Sequence, residues 1–383
     1  MSWSEFEKGA WGWLHALSAK LRIAVIYSAD PSDEGAVLHR AHQTRPWKSY
    51  AAVAADIEVA LHRLGFPHVW CMPDGMELPK RLAEHDIHLA WLNTGGVQGY
   101  GPMCHAPAQL EMLGVPYVGH DPIHSCVLDD KHLFKRVLLS LGLRTAPFMT
   151  WDGTQGRFAP PPPRKHEALF GGCAPSFVVK PVSGRASVDV HFVESVEGLA
   201  EVIEKIHSRT RDLVLIERYL PGREYCVSVK GPVLNLGGRL ERRDAPVAFS
   251  ALERRLEEGE RIFTSMDVKP MTPARARLLG EKEWVRGREL LALGRRLYSG
   301  LGLRYLVRLD IREDEKGHLY VLEANPKPDL KRPDEDVISL VSLGLPALGM
   351  SYEDLILSLL AERLEHLLRH QRTSIARLAA LLD

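Results

Sequence analysis

The sequence predicts an α/β protein of more than one domain, and three observations predict it. Strand and helix patterns alternate from residue 21 to about 127, as in a small parallel α/β domain. Two runs near the C-terminal end, Leu303 to Ile311 and His318 to Pro326, alternate with period two about a polar turn, Asp314-Glu315-Lys316-Gly317. The length of 383 residues exceeds what one small core organises.

In the first region, Arg22 to Tyr27 reads as a buried strand. Ser49 to Leu64 spaces its apolar residues as a helix does and stops before Gly65. Val69 to Met72 and His88 to Leu92 are further strands. The loop Gly95 to Gly101 is rich in glycine but lacks the G-x-G-x-x-G spacing of a dinucleotide site. Asp130 to Leu141 reads as a helix closed by Gly142, and Pro160 to Pro163 as a surface excursion. Phe177 to Lys180 and Val188 to Val193 read as strands about a small-residue loop, and Leu213 to Leu220 with Arg223 to Val229 as a hairpin about Pro221-Gly222. Residues 231 to 300 are polar, rich in arginine and then helical, and the tail from Ser351 is helical.

Composition excludes several classes. Lys+Arg and Asp+Glu both total 49, so the basic excess of a dedicated nucleic-acid binder is missing. The five cysteines are scattered without a C-x-x-C pair, which fits a reduced, cytoplasmic protein. No run reaches the length of a membrane span. The first twenty residues carry Trp3, Phe6, Trp11, Trp13, Leu14 and Leu17, while Glu5 and Glu7 spoil a signal-peptide start. They read as an amphipathic helix packed on the body, with a membrane-surface or partner-binding helix as the alternative. The histidines are dispersed, and Pro122 separates His120 from His124, so zinc chemistry is not supported.

Chemistry concentrates in three places. Arg308 and Asp310 share one strand face, and Glu323 and Asn325 share another. A hairpin would gather an arginine, two carboxylates and an amide oxygen, a hard-oxygen set suited to Mg²⁺ beside substrate phosphates. Lys180 precedes the loop Ser183 to Ser187, where turn N–H groups can cradle phosphate; a plain hairpin with an exposed lysine is the alternative. The segment Val214 to Glu224 offers an apolar strand edge to a base and Glu224 to ribose hydroxyls.

The order of these elements, with Leu113-Gly114-Val115-Pro116-Tyr117-Val118-Gly119 and Asp129-Asp130-Lys131, resembles the ATP-grasp superfamily, and within it the D-alanine–D-alanine ligase branch, over roughly residues 21 to 360. The resemblance implies an ATP-grasp fold, with an N-terminal parallel α/β domain and two α+β subdomains clasping ATP. The corresponding division is an extension at 1–20, an N-terminal domain at 21–127, a central subdomain at 128–217 and a C-terminal subdomain at 218–383. It implies that Lys131, Lys180 and Ser187 contact ATP phosphates. Glu217 meets the adenine amino group, Tyr219 and Leu220 supply the hinge, Glu224 binds ribose and Leu322 packs under adenine. Asp310, Glu323 and Asn325 hold two Mg²⁺ ions, Mn²⁺ being the alternative, and Arg308 stabilises an oxyanion. The implied activity is carboxylate–amine ligation through an acyl phosphate, the alternative being a non-catalytic ATP-binding regulatory module or another reaction of the superfamily. The implied partners are a small carboxylic acid and an amine, such as amino acids or a peptide, with no nucleic acid; a homodimer is the assembly to test.

The chain departs from the branch at two places. Arg185 and Asp189 stand in the phosphate loop where glycine is usual. After Asn325 it reads Pro326-Lys327-Pro328-Asp329-Leu330-Lys331-Arg332 instead of small hydroxyl residues. Arg185 and Lys331, with Lys327 and Arg332 beside it, are therefore substrate candidates, Glu34 is the glutamate after the first strand that the resemblance implies for the first subsite, and the expected substrates need not be D-alanine.

Overall fold

The computed structural model of the chain describes residues 11–41, 47–171, 176–184, 187–263, 271–333, 339–370 and 375–382. Its first sheet is parallel, in the order β2-β1-β3-β4. It is built from β1 (Arg22–Tyr27), β2 (His68–Pro73), β3 (Leu89–Leu92) and β4 (Tyr117–Val118). Ile23 to Ile26 and Leu89 to Trp91 are fully buried, as expected of parallel strands covered on both faces. The short helix α1 (Gly12–Ser18) buries Trp13, Leu14 and Leu17 in the same core as β1. This is the packed-helix reading; Trp3 and Phe6 lie outside the described residues. Helix α2 (Ala51–Arg63) occupies the span expected from its spacing, and α3 (Leu78–Glu84), α4 (His105–Met112) and α5 (Pro122–Asp129) complete this region.

The second sheet has the order β5-β8-β6-β7. Its strands are β5 (Phe148–Trp151), β6 (Phe177–Pro181), β7 (His191–Val193) and β8 (Val214–Arg218). Strand β7 is shorter than the sequence suggests. Ser187 and Asp189 have φ of +59 and +57, so the loop's turn runs on through Asp189, where a strand was expected from Val188. The proline run does not stay a loop either, because Pro163 opens helix α7 (Pro163–Phe170), a position where its missing N–H costs nothing.

The third sheet, β13-β12-β9-β14-β15, holds β9 (Glu224–Lys230), β12 (Val247–Arg254), β13 (Ala276–Leu278), β14 (Val307–Glu313) and β15 (Leu319–Asn325). A small ribbon pairs β10 (Val233–Leu236) with β11 (Arg239–Arg242). The expected hairpin about Pro221-Gly222 does not form: β8 belongs to the second sheet and β9 to the third. Gly222 donates its N–H to Glu313 O at 3.0 Å, and a Cβ on it would lie 2.5 Å from that of Glu313, so the chain crosses between sheets at closest approach. The hairpin of β14 with β15 does form, antiparallel, with Arg308 opposite Asn325 and Asp310 opposite Glu323.

Helices outside the first region complete the packing. Asp130 accepts the Leu133 N–H at 2.8 Å and so starts α6 (Lys131–Ser140) at Lys131. Phe134 and Leu138 of α6 enter the core under the third sheet, together with Leu290 and Leu297 of α9 (Trp284–Gly300). Helix α8 (Leu199–Thr210) covers the second sheet. Helix α10 (Tyr352–His370) packs its leucines into the core shared with α1 and β1, and α11 (Ala376–Ala379) follows it. Among the described residues no single helix is long and apolar enough to cross a membrane.

Candidate active site

A cleft of about 730 Å³ lies between the second and third sheets, with one end reaching the start of α2. It is lined by Lys131, Lys180, Ser187, Glu217, Tyr219, Leu220, Glu224, Arg308, Asp310, Leu322, Glu323, Asn325 and Lys331. These are residues singled out from the sequence, brought together from α6, two sheets and the segment after β15. Two candidates are not among them. Glu34 is exposed on a turn at residues 31–36 outside the cleft, and Arg185 lies outside the described residues.

Lys131 and Lys180 line one wall, with Lys135 buried behind it. The Glu217 carboxylate is buried between Lys180, at 2.6 Å, and Lys135 of α6. Burial alone would raise the Glu217 pKa, but the two ammonium groups outweigh it and hold the carboxyl ionised. Burial likewise opposes the charge on Lys180, where Glu217 and Glu323 prevail and the pKa rises; on Lys135 burial prevails and the pKa falls. Lys131 Nζ lies 3.6 Å from Glu323 and donates to Gly184 O at 3.4 Å, joining α6 both to β15 and to the loop after β6. Glu217 thus orients the two lysines rather than presenting a free carboxylate to a base. Lys135 was not anticipated; its signal is the i,i+4 spacing from Lys131 on one helix face.

The opposite wall is a charged lattice across three strands. Arg308 grips Asp310 through Nε at 2.9 Å and Nη2 at 3.2 Å. Arg254 Nη1 reaches Asp310 at 3.1 Å and Glu224 at 3.1 Å, and Arg312 Nη1 reaches the other Glu224 oxygen at 3.1 Å. The row follows from register, because Arg254 and Arg312 both pair with Glu224 across β12, β9 and β14. Burial opposes ionisation of Asp310, yet Arg308 and Arg254 keep its pKa below the ordinary carboxylate value. Arg254 also stacks on Phe263 at 4.1 Å, and Arg312 on Tyr219 at 4.9 Å. Arg312 extends the period-two series Arg308, Asp310 and was legible there; Arg254 had no comparable signal.

The donors suit a hard cation. Asp310 and Glu323 are register partners, Asn325 is the next cleft-facing position along β15, and Asn325 Nδ2 is buried with no hydrogen-bond partner among the described residues. Their carboxylates are presently engaged by arginine and lysine, and among the described residues no three His, Cys, Asp or Glu side chains gather as a metal set. Two carboxylates with an amide oxygen still fit Mg²⁺ bound jointly with phosphates.

Comparison with known proteins follows the same outline. The family described as D-ala D-ala ligase C-terminus matches residues 138–361, more than half of the chain. The chain belongs to that family. It is similar to the D-alanine–D-alanine ligase of Aquifex aeolicus strain VF5, 28% identical over 298 residues, covering 78% of this chain and 89% of the relative. It is also similar to the D-alanine–D-alanine ligase of Synechococcus sp. strain JA-2-3B'a(2-13), 26% identical over 298 residues, covering 76% and 81%. In fold it is similar to the Bacillus anthracis D-alanine–D-alanine ligase complexed with ATP, with TM-score 0.59, 20% identity and coverage of 90% and 97%. The VanG D-Ala:D-Ser ligase of Enterococcus faecalis gives TM-score 0.62 at 14% identity, with coverage of 90% and 99%. This member of the D-ala D-ala ligase family therefore has the ATP-grasp fold and is an ATP-dependent carboxylate–amine ligase. A non-catalytic binding module is not favoured.

Proposed function

We propose that the protein forms an amide bond between two small substrates through an acyl phosphate, with a substrate pair other than two D-alanines. The observation that carries the reading is Arg308 buried beside Asp310, opposite Lys131 and Lys180 in one cleft. A substrate carboxylate oxygen attacks the γ-phosphorus of ATP, the bond to the ADP oxygen breaks, and ADP leaves. An amine then attacks the acyl carbon; phosphate departs and the nitrogen gives up a proton. Mg²⁺, two ions in this proposal with Mn²⁺ as substitute, is held by Asp310, Glu323 and Asn325 and screens the phosphate charge when bound.

The chain's own residues do the rest. Lys131 and Lys180 sit where phosphate oxygens require cations, and Glu217 with Lys135 fixes Lys180 in place. Ser187 and the neighbouring turn offer donors to phosphate. Tyr219 and Leu220 face the base on the second-sheet side, Leu322 packs beneath it, and Glu224 accepts from ribose once Arg254 or Arg312 yields an oxygen. Arg308 donates to the oxyanion of the tetrahedral intermediate, a contribution of about 10²–10³-fold for one donor. The loop at 183–187 and part of 241–270 are the proposed covers that keep water from the intermediate; residues 185, 186 and 264–270 of these segments lie outside the described residues. The departure from two D-alanines rests on the residues after Asn325. The division at residues 127 and 217, a homodimeric assembly and a cytoplasmic setting belong to the same proposal.

Amine-dependent ADP formation tests it. Wild-type protein with MgATP and an acid–amine panel should release ADP and give an amide by mass spectrometry. Arg308→Ala should retain nucleotide binding and lose about 10²–10³-fold in turnover. Equal turnover by the two proteins would refute the oxyanion role, and fastest turnover with D-alanine alone would refute the altered pair.

A further inference from the structure

One guanidinium in the cleft does what a bridging cation does. Arg254 closes β12, is only 7% exposed and lines the cleft. Its Nη1 lies 3.1 Å from Asp310 Oδ2 and 3.1 Å from Glu224 Oε1, so a single nitrogen joins carboxylates of two strands. Both Asp310 oxygens are engaged. Oδ1 accepts from Arg308 Nε at 2.9 Å and from Cys226 Sγ at 3.3 Å, and Oδ2 accepts from Arg308 Nη2 at 3.2 Å as well as from Arg254. Both Glu224 oxygens are engaged too, Oε1 by Arg254 and Oε2 by Arg312 Nη1 at 3.1 Å. A divalent cation on Asp310 would take the oxygen that Arg254 holds and strand a buried guanidinium, a change that costs heavily unless another anion receives it.

The rest of the Arg254 side chain points to that anion. Its Nε is buried with no hydrogen-bond partner among the described residues, and the same is true of Arg312 Nε. A buried donor without an acceptor is unfavourable, and an anion in the cleft would satisfy it with a charge-assisted bond. The guanidinium lies 4.1 Å from the centroid of the Phe263 ring, which also lines the cleft. Stacking on an aromatic face holds the plane of a guanidinium and leaves its edge to exchange acceptors. Lys131 and Lys180 line the same cleft, so an anion drawn to them comes within the space that Arg254 shares.

We propose that Arg254 is a further phosphate-binding residue, and that its bridge between Asp310 and Glu224 excludes a divalent cation until a nucleotide supplies the acceptor for it. Arg254 passes from the two carboxylates to a phosphate oxygen, which releases Asp310 for the cation and Glu224 for ribose together. Nucleotide and cation consequently bind as a pair, each raising affinity for the other. The inference rests on the nucleotide-binding part of the ligase reading and adds to it one residue and an order of events.

The test uses the full-length protein, with Mn²⁺ as the probe and water proton relaxation as the readout. Without nucleotide, wild type should hold Mn²⁺ weakly. Arg254→Met, which keeps an apolar contact with Phe263 and loses the charge, should bind it at least about tenfold more tightly. Arg254→Lys, which keeps the charge, should stay near wild type. In saturating Mg²⁺, Arg254→Met should bind an ATP analogue with an imido bridge between the β- and γ-phosphorus at least about tenfold more weakly. An arginine with a structural role alone would lower the melting temperature on substitution and give no gain in Mn²⁺ binding. Equal Mn²⁺ affinity in wild type and Arg254→Met overturns the proposal, and so does unchanged affinity for the analogue. Arg254→Gln serves, with the same expectations, where the methionine variant does not fold. Wild type that binds Mn²⁺ as tightly alone as in its complex with the analogue overturns the proposal without any variant. Turnover keeps the two readings apart. Amide formation by wild type, with no gain of Mn²⁺ binding in the variants, overturns the exchange and leaves the ligase reading standing. A gain of Mn²⁺ binding without amide formation from any acid–amine pair upholds the exchange and overturns the ligase reading.

Discussion

At the scale of single residues, Glu217 carries more than the sequence assigned to it. As a lone strand-end carboxylate it invited a role at the base of the nucleotide; buried between Lys135 and Lys180, it is the counter-charge that lets two ammonium groups sit out of water. Glu217→Gln should cost about 3–5 kcal/mol, because it leaves two like charges buried without their anion. Adding Lys135→Met should recover part of that loss by removing one of them. Thermal melts of both variants decide it, and a single variant as stable as wild type would show that the lysines do not depend on Glu217. Arg308, Asp310, Glu323 and Asn325 were legible because a strand imposes period two on its faces. Lys135, Arg254 and Arg312 were not singled out: Lys135 and Arg312 continue local patterns set by Lys131 and Arg308, but their importance, like that of Arg254, comes from partners on other elements, Glu217 and Glu224.

At the scale of elements, β1, β2 and β3 of the first sheet, α2, α6 and the β14–β15 pair were readable from periodicity and caps. The segment around Pro221-Gly222 was not, because a Pro-Gly turn signals a reversal without saying which sheet takes the next strand. Gly222 is required for a steric reason, the approach of the Glu313 backbone and Cβ. Gly222→Ala should lower stability by about 1–3 kcal/mol through overpacking. A urea midpoint unchanged from wild type would show that the crossing has room to spare. The substrate candidates divided in a similar way: Lys331 and Lys327 line the cleft, whereas Arg332 is turned away by Tyr352 and Glu353, and Glu34 is carried off on its exposed turn.

At the scale of the whole molecule, His120 ties the first region to the third sheet. It is buried, with Nε2 3.3 Å from Leu306 O and its ring edge-on to Tyr305 at 5.5 Å. Burial, and then the neighbouring His124, push its pKa down to about 4, with Asp121 pulling the other way. Above the ordinary value of 6.5 the imidazole is neutral in both folded and unfolded chains and stability is flat. As pH falls from 6.5 to about 4, the unfolded chain takes up a proton that the folded one refuses, so stability declines, by about 3 kcal/mol from this group. His366, also pushed to about 4, acts in the same window, so the comparison of interest is with His120→Asn. Melting temperatures of that variant should fall less steeply between pH 6.5 and 4 than those of wild type; parallel slopes would acquit His120. The path of the chain has a mechanical consequence. Residues 148 to 218 form the second sheet, yet both the segment entering it and the segment leaving it start from the body built on the third. The two segments run side by side, Arg218 N bonding Pro147 O at 2.9 Å, and the entering one is pinned where Val321 N meets Arg144 O at 2.9 Å. Further ties hold the same sheet from α6, where Lys131 N meets Val182 O at 3.1 Å and Lys135 pairs with Glu217, so the distance from Lys180 to the carboxylates of the third sheet is set by the body rather than by the second sheet alone.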